Sequence, residues 1–194
     1  MNIAALRARQ SDPVKMELEQ AILRLVIGGM LLGYLVWRAQ GVSEYDQTVF
    51  VSVEGFVVLA FAIVVAIFMW PTPSPVRRVV GIVIDVGVAT LFLLFAGEAG
   101  AVIIGVYLFV IFGNGLRYGR SYLHLSQALI IVGFSVVMMV SPWWSSHQLT
   151  AFGMLTTLVI VPFYVGVLAQ RLVDARLKAE QELKECREQN LRSN

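Results

Sequence analysis

VVGIVIDVGVATLFLLFAGEAGAVIIGVYLFVIFGNGL, residues Val79 to Leu116, is the stretch on which the fold turns. As one helix it would be about 57 Å long at roughly 1.5 Å per residue, nearly twice the ~30 Å of bilayer hydrocarbon. Gly97, Glu98 and Gly100 interrupt the apolar run near its middle, and glycine admits the conformations that a tight reversal requires. The stretch therefore reads as two spans, Val79 to Ala96 and Ala99 to Leu116, joined as a helical hairpin.

Outward from the hairpin lie four more apolar runs: Ala21 to Trp37, Thr48 to Trp70, Leu123 to Val140 and Leu149 to Ala169. Of the 194 residues, 58% are hydrophobic and 14% charged, and the mean hydropathy is +0.75. A water-soluble domain has fewer apolar and more charged residues. The expected fold is an all-α integral membrane protein, a six-transmembrane-helix bundle. Six spans of about twenty residues consume roughly 120 positions, which leaves no room for a soluble catalytic domain, so no enzyme and no catalytic residue are expected. The first twenty residues, MNIAALRARQSDPVKMELEQ, are polar and unlike a removable signal peptide. The single cysteine, Cys186, offers neither an internal disulfide nor a zinc site and reads as a reduced thiol.

Loop charges set the orientation, because cytoplasmic loops carry the excess of Lys and Arg. With the N-terminus inside, the inner segments hold Arg7, Arg9, Lys15 and Arg24, then Arg77 and Arg78, then Arg117 and Arg120, then six more from Arg171 to Arg192. That is fourteen of the 15 basic residues; only Arg38 falls outside. The expected organisation is a cytoplasmic N-terminal arm (1–20), a six-helix membrane domain (21–169) and a cytoplasmic helical tail (170–194), N-in and C-in, in a bacterial inner membrane. Tyr34, Trp37, Trp143 and Trp144 on the outer side, and Tyr118 and Tyr122 on the inner, read as interface aromatics. WPTPSP, with Pro71, Pro73 and Pro75, marks an inner turn. The tail, from Gln170 onward, has good helix formers and helical charge spacing such as Glu180 to Lys184. Its seam of Leu172, Ala175, Ala179, Glu182 and Cys186 is too polar for a strong coiled coil.

Ionisable groups inside a span need a partner, a wet cavity or an interfacial escape. Arg24, one turn into the first span, either snorkels to the inner headgroups or holds a ligand carboxylate. Glu54 and Asp85 sit at different depths in the second and third spans, so no carboxylate dyad is expected. Each serves either as a protonated interhelical hydrogen-bond donor or in ligand sensing or proton-linked chemistry. GNGLRYGR places Gly113, Asn114, Gly115, Arg117, Tyr118, Gly119 and Arg120 at the end of the fourth span. It is either a helix stop with positive-inside anchors or a phosphate or carboxylate site built on Arg117 and Arg120. His124 and His147 have no ligands at metal spacing, so no metal is expected. No Walker loop, dinucleotide glycine motif, nucleophile elbow or His-Glu-x-x-His pair is present, and no cofactor is expected. Basic residues scattered over four segments argue for topology and against nucleic acid.

Several motifs together carry a resemblance: EQAILR (Glu19 to Arg24), VEG around Glu54, IDVG around Asp85, GNGLRYGRSYL (Gly113 to Leu123), SPWW (Ser141 to Trp144) and VPFY (Val161 to Tyr164). In combination they resemble the membrane input region of RpfC-type sensor kinases, from about Glu19 to Arg176, with GNGLRYG as the most specific element. The resemblance implies perception of diffusible signal factor, a cis-unsaturated fatty acid, with Glu19, Gln20 and Arg24 contributing. Some descriptions of that family count five spans and put this segment outside; the charge bias here puts it inside. No histidine follows His147, so a phospho-accepting kinase module is not expected within these residues. The resemblance then implies a stand-alone relative similar to the kinase-less RpfH, or the excised input region of a hybrid sensor histidine kinase.

Three functions compete at this level. The first is a non-enzymatic sensor or accessory protein of fatty-acid quorum sensing, with ligand contacts from Glu19, Gln20, Arg24 and Arg117 and membrane lipids as its surroundings. The second is a small proton-coupled transporter using Glu54 and Asp85, disfavoured by the lack of an internal repeat. The third is a structural partner that associates with a sensor histidine kinase or with itself through Gly28, Gly29 and Gly33.

Overall fold

The computed structural model describes residues 13–39 and 47–192. Arg7 and Arg9 of the expected N-terminal arm lie outside them, as do the side chains of Arg38 and Cys186. The described elements are α1 (Pro13–Ala39), α2 (Gln47–Met69), α3 (Pro75–Phe95), a 3-10 turn (Gly97–Ile103), α4 (Ile104–Tyr118), α5 (Arg120–Val140), the short α6 (Pro142–Ser146) and α7 (Gln148–Arg192). No strand occurs among the described residues. Among the described residues, five helices are long and apolar enough to cross a membrane, and α4 is a shorter apolar helix. The chain is a membrane-embedded helical bundle.

Local chemistry explains the boundaries. Pro13 opens α1, where its missing N–H costs no helical bond, eight residues before the apolar run begins at Ala21. The expected arm therefore enters the first helix from residue 13 onward. Its polar residues Glu17, Gln20 and Arg24 share a buried face with Ala21 and Gly28, while Ile22, Val26 and Met30 point outward. Hydropathy alone places the boundary later because those buried groups are polar. Ser74 caps α3 by accepting from the Arg77 amide at 3.4 Å, with Pro75 next. Gly119, at φ +95°, separates α4 from α5 in a conformation open to glycine.

The hairpin reading of Val79 to Leu116 agrees with the packing. Arg78 lies over the Tyr118 ring at 4.6 Å, and Thr90 shares a 2.6 Å hydrogen bond with Tyr107. Leu93 touches the 3-10 turn at Gly100. Residues 78 to 93 of α3 thus pair in descending order with 118 to 100, an antiparallel match. α5 packs against α3, α4 and α7, whereas α1 packs mainly along α2.

Trp144 departs from its expected interfacial place. It is fully buried, its Nε1 donates to the Leu93 carbonyl at 3.1 Å, and it meets Phe134 edge to face at 5.3 Å. The indole covers an otherwise unpaired carbonyl at the end of α3. The expected tail is continuous with the last span, since α7 runs unbroken from Gln148 to Arg192.

Candidate functional site

The buried polar face of α1 meets α3 and α4 at one end of the bundle. Arg24 does not snorkel: its Nε donates to Asp85 Oδ1 at 2.7 Å and Oδ2 at 3.0 Å, and both side chains are buried. The guanidinium fits because residue 81, one turn before Asp85, is glycine; a Cβ there would stand 2.8 Å from Arg24 Cζ. Asp85 is an acceptor in this pair, which replaces the expected role of a hydrogen-bond donor.

Four residues earlier on α1, Gln20 Nε2 donates to Asn114 Oδ1 at 2.6 Å. Asn114 in turn donates from Nδ2 to the Val110 carbonyl at 2.7 Å. A carbonyl only accepts, so Asn114 must aim its nitrogen at Val110 and its oxygen at Gln20. Gln20 is then oriented too, and its buried Oε1 has no hydrogen-bond partner among the described residues. A buried acceptor left in this state is costly, and in native proteins it calls for an explanation.

Gln20, Arg24 and Asp85 border a narrow cleft of about 600 Å³, measured out to its open mouth, between α1, α3 and α4. Gln20, Arg24, Asp85, Gly113 and Arg117 form its polar end. Ile27, Leu31, Phe92, Ile103 and Val106 line both this cleft and a second, almost wholly apolar hollow reaching Met30 and Tyr34. From Gln20 to Tyr34 the wall rises about 21 Å along α1. The whole is a slot with a polar end and a greasy length. Arg24 is neutralised by Asp85, while Arg117 has no ion pair among the described residues.

Other candidates fall elsewhere. Glu19 is half exposed, 4.0 Å from Lys15, and outside the cleft. Glu54 lies on the exposed face of α2, apart from buried Asp85. Gly29 and Gly33 are exposed with open space around them. GNGLRYGR divides its labour: Gly113 and Arg117 line the cleft, Asn114 holds Gln20, Tyr118 sits beneath Arg78, and Gly115 makes room for Leu123. Arg120 turns away to His124 at 3.1 Å and to Gln170 on α7 at 2.6 Å.

Sequence reading missed Glu17. Only 3% exposed, it accepts from the Ser74 amide at 3.1 Å, from Arg77 Nε at 2.9 Å and Nη2 at 2.5 Å, and from Arg78 Nε at 2.7 Å. Arg77 also donates to the carbonyls of Trp70 and Thr72, so Glu17 clamps the proline turn to α1. The signal available in the sequence was its spacing, since Glu17, Gln20 and Arg24 fall on one helical face.

No protein-family model matches the chain, and no solved structure matches it. The sensory/regulatory protein RpfC of Xanthomonas campestris pv. campestris, in each of two strains, is 28% identical to it over 171 residues. The match covers 88% of this chain and 24% of the relative, so the chain spans about a quarter of the length of the curated relatives it matches. Over nearly all its residues, then, the chain is similar to an RpfC-type sensor region.

Proposed function

We propose that this chain is a non-enzymatic membrane sensor or accessory protein in signalling, and that it reads a fatty-acid signal of the cis-unsaturated, diffusible-signal-factor class in the cleft between α1, α3 and α4. The observation that carries this reading is the unsatisfied Oε1 of Gln20 together with Arg117, which lines the same cleft and has no ion pair among the described residues, at the polar end of an apolar slot. A single-tailed carboxylic acid answers both: one oxygen accepts from Arg117, the protonated oxygen donates to Gln20, and the tail lies along Ile27, Leu31 and Phe92. Similarity to RpfC supports the signalling role.

In this reading the chain crosses a bacterial inner membrane six times with both ends in the cytoplasm. The antiparallel match of α3 with α4 and its 3-10 turn supports the sixth crossing. At about 22 Å for α4 and about 14 Å for the turn, the returning segment is long enough. The same site serves a stand-alone relative of the RpfH kind or the input region of a hybrid sensor histidine kinase. The transporter alternative loses support, because Asp85 is engaged by Arg24 and Glu54 lies on another face.

Titration of isotope-labelled diffusible signal factor onto the full chain in nanodiscs tests the proposal. Saturable binding is expected, weakened about tenfold in Arg117→Ala, as for loss of a charge-assisted hydrogen bond. Absence of saturable binding to the wild-type chain overturns it.

A further inference from the structure

Helix α7 passes through Pro162 without a break in helical structure. Proline has no N–H, so the carbonyl of Leu158, four residues earlier, lacks its helical donor. Leu158 is fully buried, and no water reaches it. The missing donor comes from another helix: Gln127 on α5 donates through Nε2 to the Leu158 carbonyl at 3.2 Å and to the Val159 carbonyl at 2.9 Å. This is how membrane helices tolerate proline, with a neighbouring side chain satisfying the freed backbone group.

Beyond Pro162, α7 is held differently. Arg120 Nη1 donates to Gln170 Oε1 at 2.6 Å at an exposed position, and a Cβ on Gly166 would stand 3.8 Å from Leu123. Beside this half of the helix lies an open cavity of about 430 Å³ between Leu116 on α4, Leu123 on α5 and Val173 on α7. Every α7 residue bordering it, from Val165 to Asp174, follows the proline.

We propose that Pro162 is a hinge and Gln127 its latch, and that the part of α7 after residue 162 is an arm that swings into this cavity against α4. Bending is easiest where the backbone ladder already lacks a bond. The Gln127 amide, with two acceptors one residue apart, keeps the freed carbonyl paired as the arm moves. The device holds whether or not the α1–α3–α4 cleft binds a fatty acid.

The test uses the full chain in nanodiscs with Cys186→Ser and spin labels at Leu116→Cys and Val173→Cys. A broad or two-peaked distance distribution is expected, collapsing to one narrow peak in Pro162→Ala, which returns an N–H to Leu158. Thermal unfolding closes the argument: Gln127→Leu should lower Tm by several degrees, and by less than half as much when Pro162→Ala is also present. A label distribution indifferent to Pro162→Ala, or a Gln127→Leu shift not reduced by that change, overturns the hinge and latch. Should Gln127→Leu fail to accumulate, recovery of folded protein in the double variant supports the latch, and its failure there overturns it.

Discussion

Arg24 on α1 and Asp85 on α3 are 61 residues apart in the chain, yet the Nε of the first lies 2.7 Å and 3.0 Å from the two carboxylate oxygens of the second. Their side chains are 8% and 7% exposed. Removing one partner strands a buried charge, a loss of about 3–5 kcal/mol, whereas replacing both with apolar residues of similar volume costs far less. Arg24→Ala or Asp85→Ala should therefore unfold much more readily in denaturant titrations in detergent than the paired Arg24→Met/Asp85→Leu variant. Equal losses in all three would mean that the ion pair is not what joins these helices.

Gly81 is tied to that pair by space. Gly81→Val should push the guanidinium off Asp85 and reproduce most of the loss expected for Arg24→Ala. Gly29→Ala, on an open exposed face, should stay within about 0.5 kcal/mol of wild type. Side-by-side melting curves check this, and a Gly81→Val protein as stable as wild type would disprove the fit.

Two glutamates two residues apart should behave oppositely. Glu17 holds Ser74, Arg77 and Arg78 from a buried position, and Glu19 faces outward near Lys15. Glu17→Gln should loosen the turn between α2 and α3, seen as faster protease cleavage near Trp70 to Ser74, with a loss of a few kcal/mol. Glu19→Gln should cost about 0–1 kcal/mol and leave cleavage unchanged. Matching cleavage rates for the two variants would remove Glu17 from its role.

The proposed six crossings with a cytoplasmic tail make a topological prediction. Cys186 should resist a membrane-impermeant maleimide in intact cells and react once the membrane is permeabilised. Labelling in intact cells would put the tail outside and reverse the orientation.

Much of the candidate site was legible as a set of residues. Gln20, Arg24, Asp85, Asn114 and Arg117 stand out because polar groups in apolar helices demand a reason. Glu19 entered through the family resemblance and Glu17 did not; the helical spacing of Glu17, Gln20 and Arg24 hints at a shared face, but which face is buried depends on how α1 is turned against its neighbours. Nothing local marks Gly81 as special; the need for glycine there comes from the Arg24 guanidinium packed against it from another helix. Trp144 read as an interface aromatic because an indole suits both a headgroup layer and a buried carbonyl; its partner, Leu93, is 51 residues away.

Run length against bilayer thickness, with glycine and proline as breakers, was enough to establish the apolar helices, the break at Gly97 to Gly100 and the turn at WPTPSP, since these depend on local hydropathy and backbone freedom. Which polar groups face one another was settled by packing alone. Helical periodicity assigns residues to faces but leaves each helix free to turn about its axis and to choose its neighbours. Arg24 with Asp85, Gln20 with Asn114, and Gln127 with the carbonyl freed by Pro162 are bonds between helices, and they exist only once every face has found its partner.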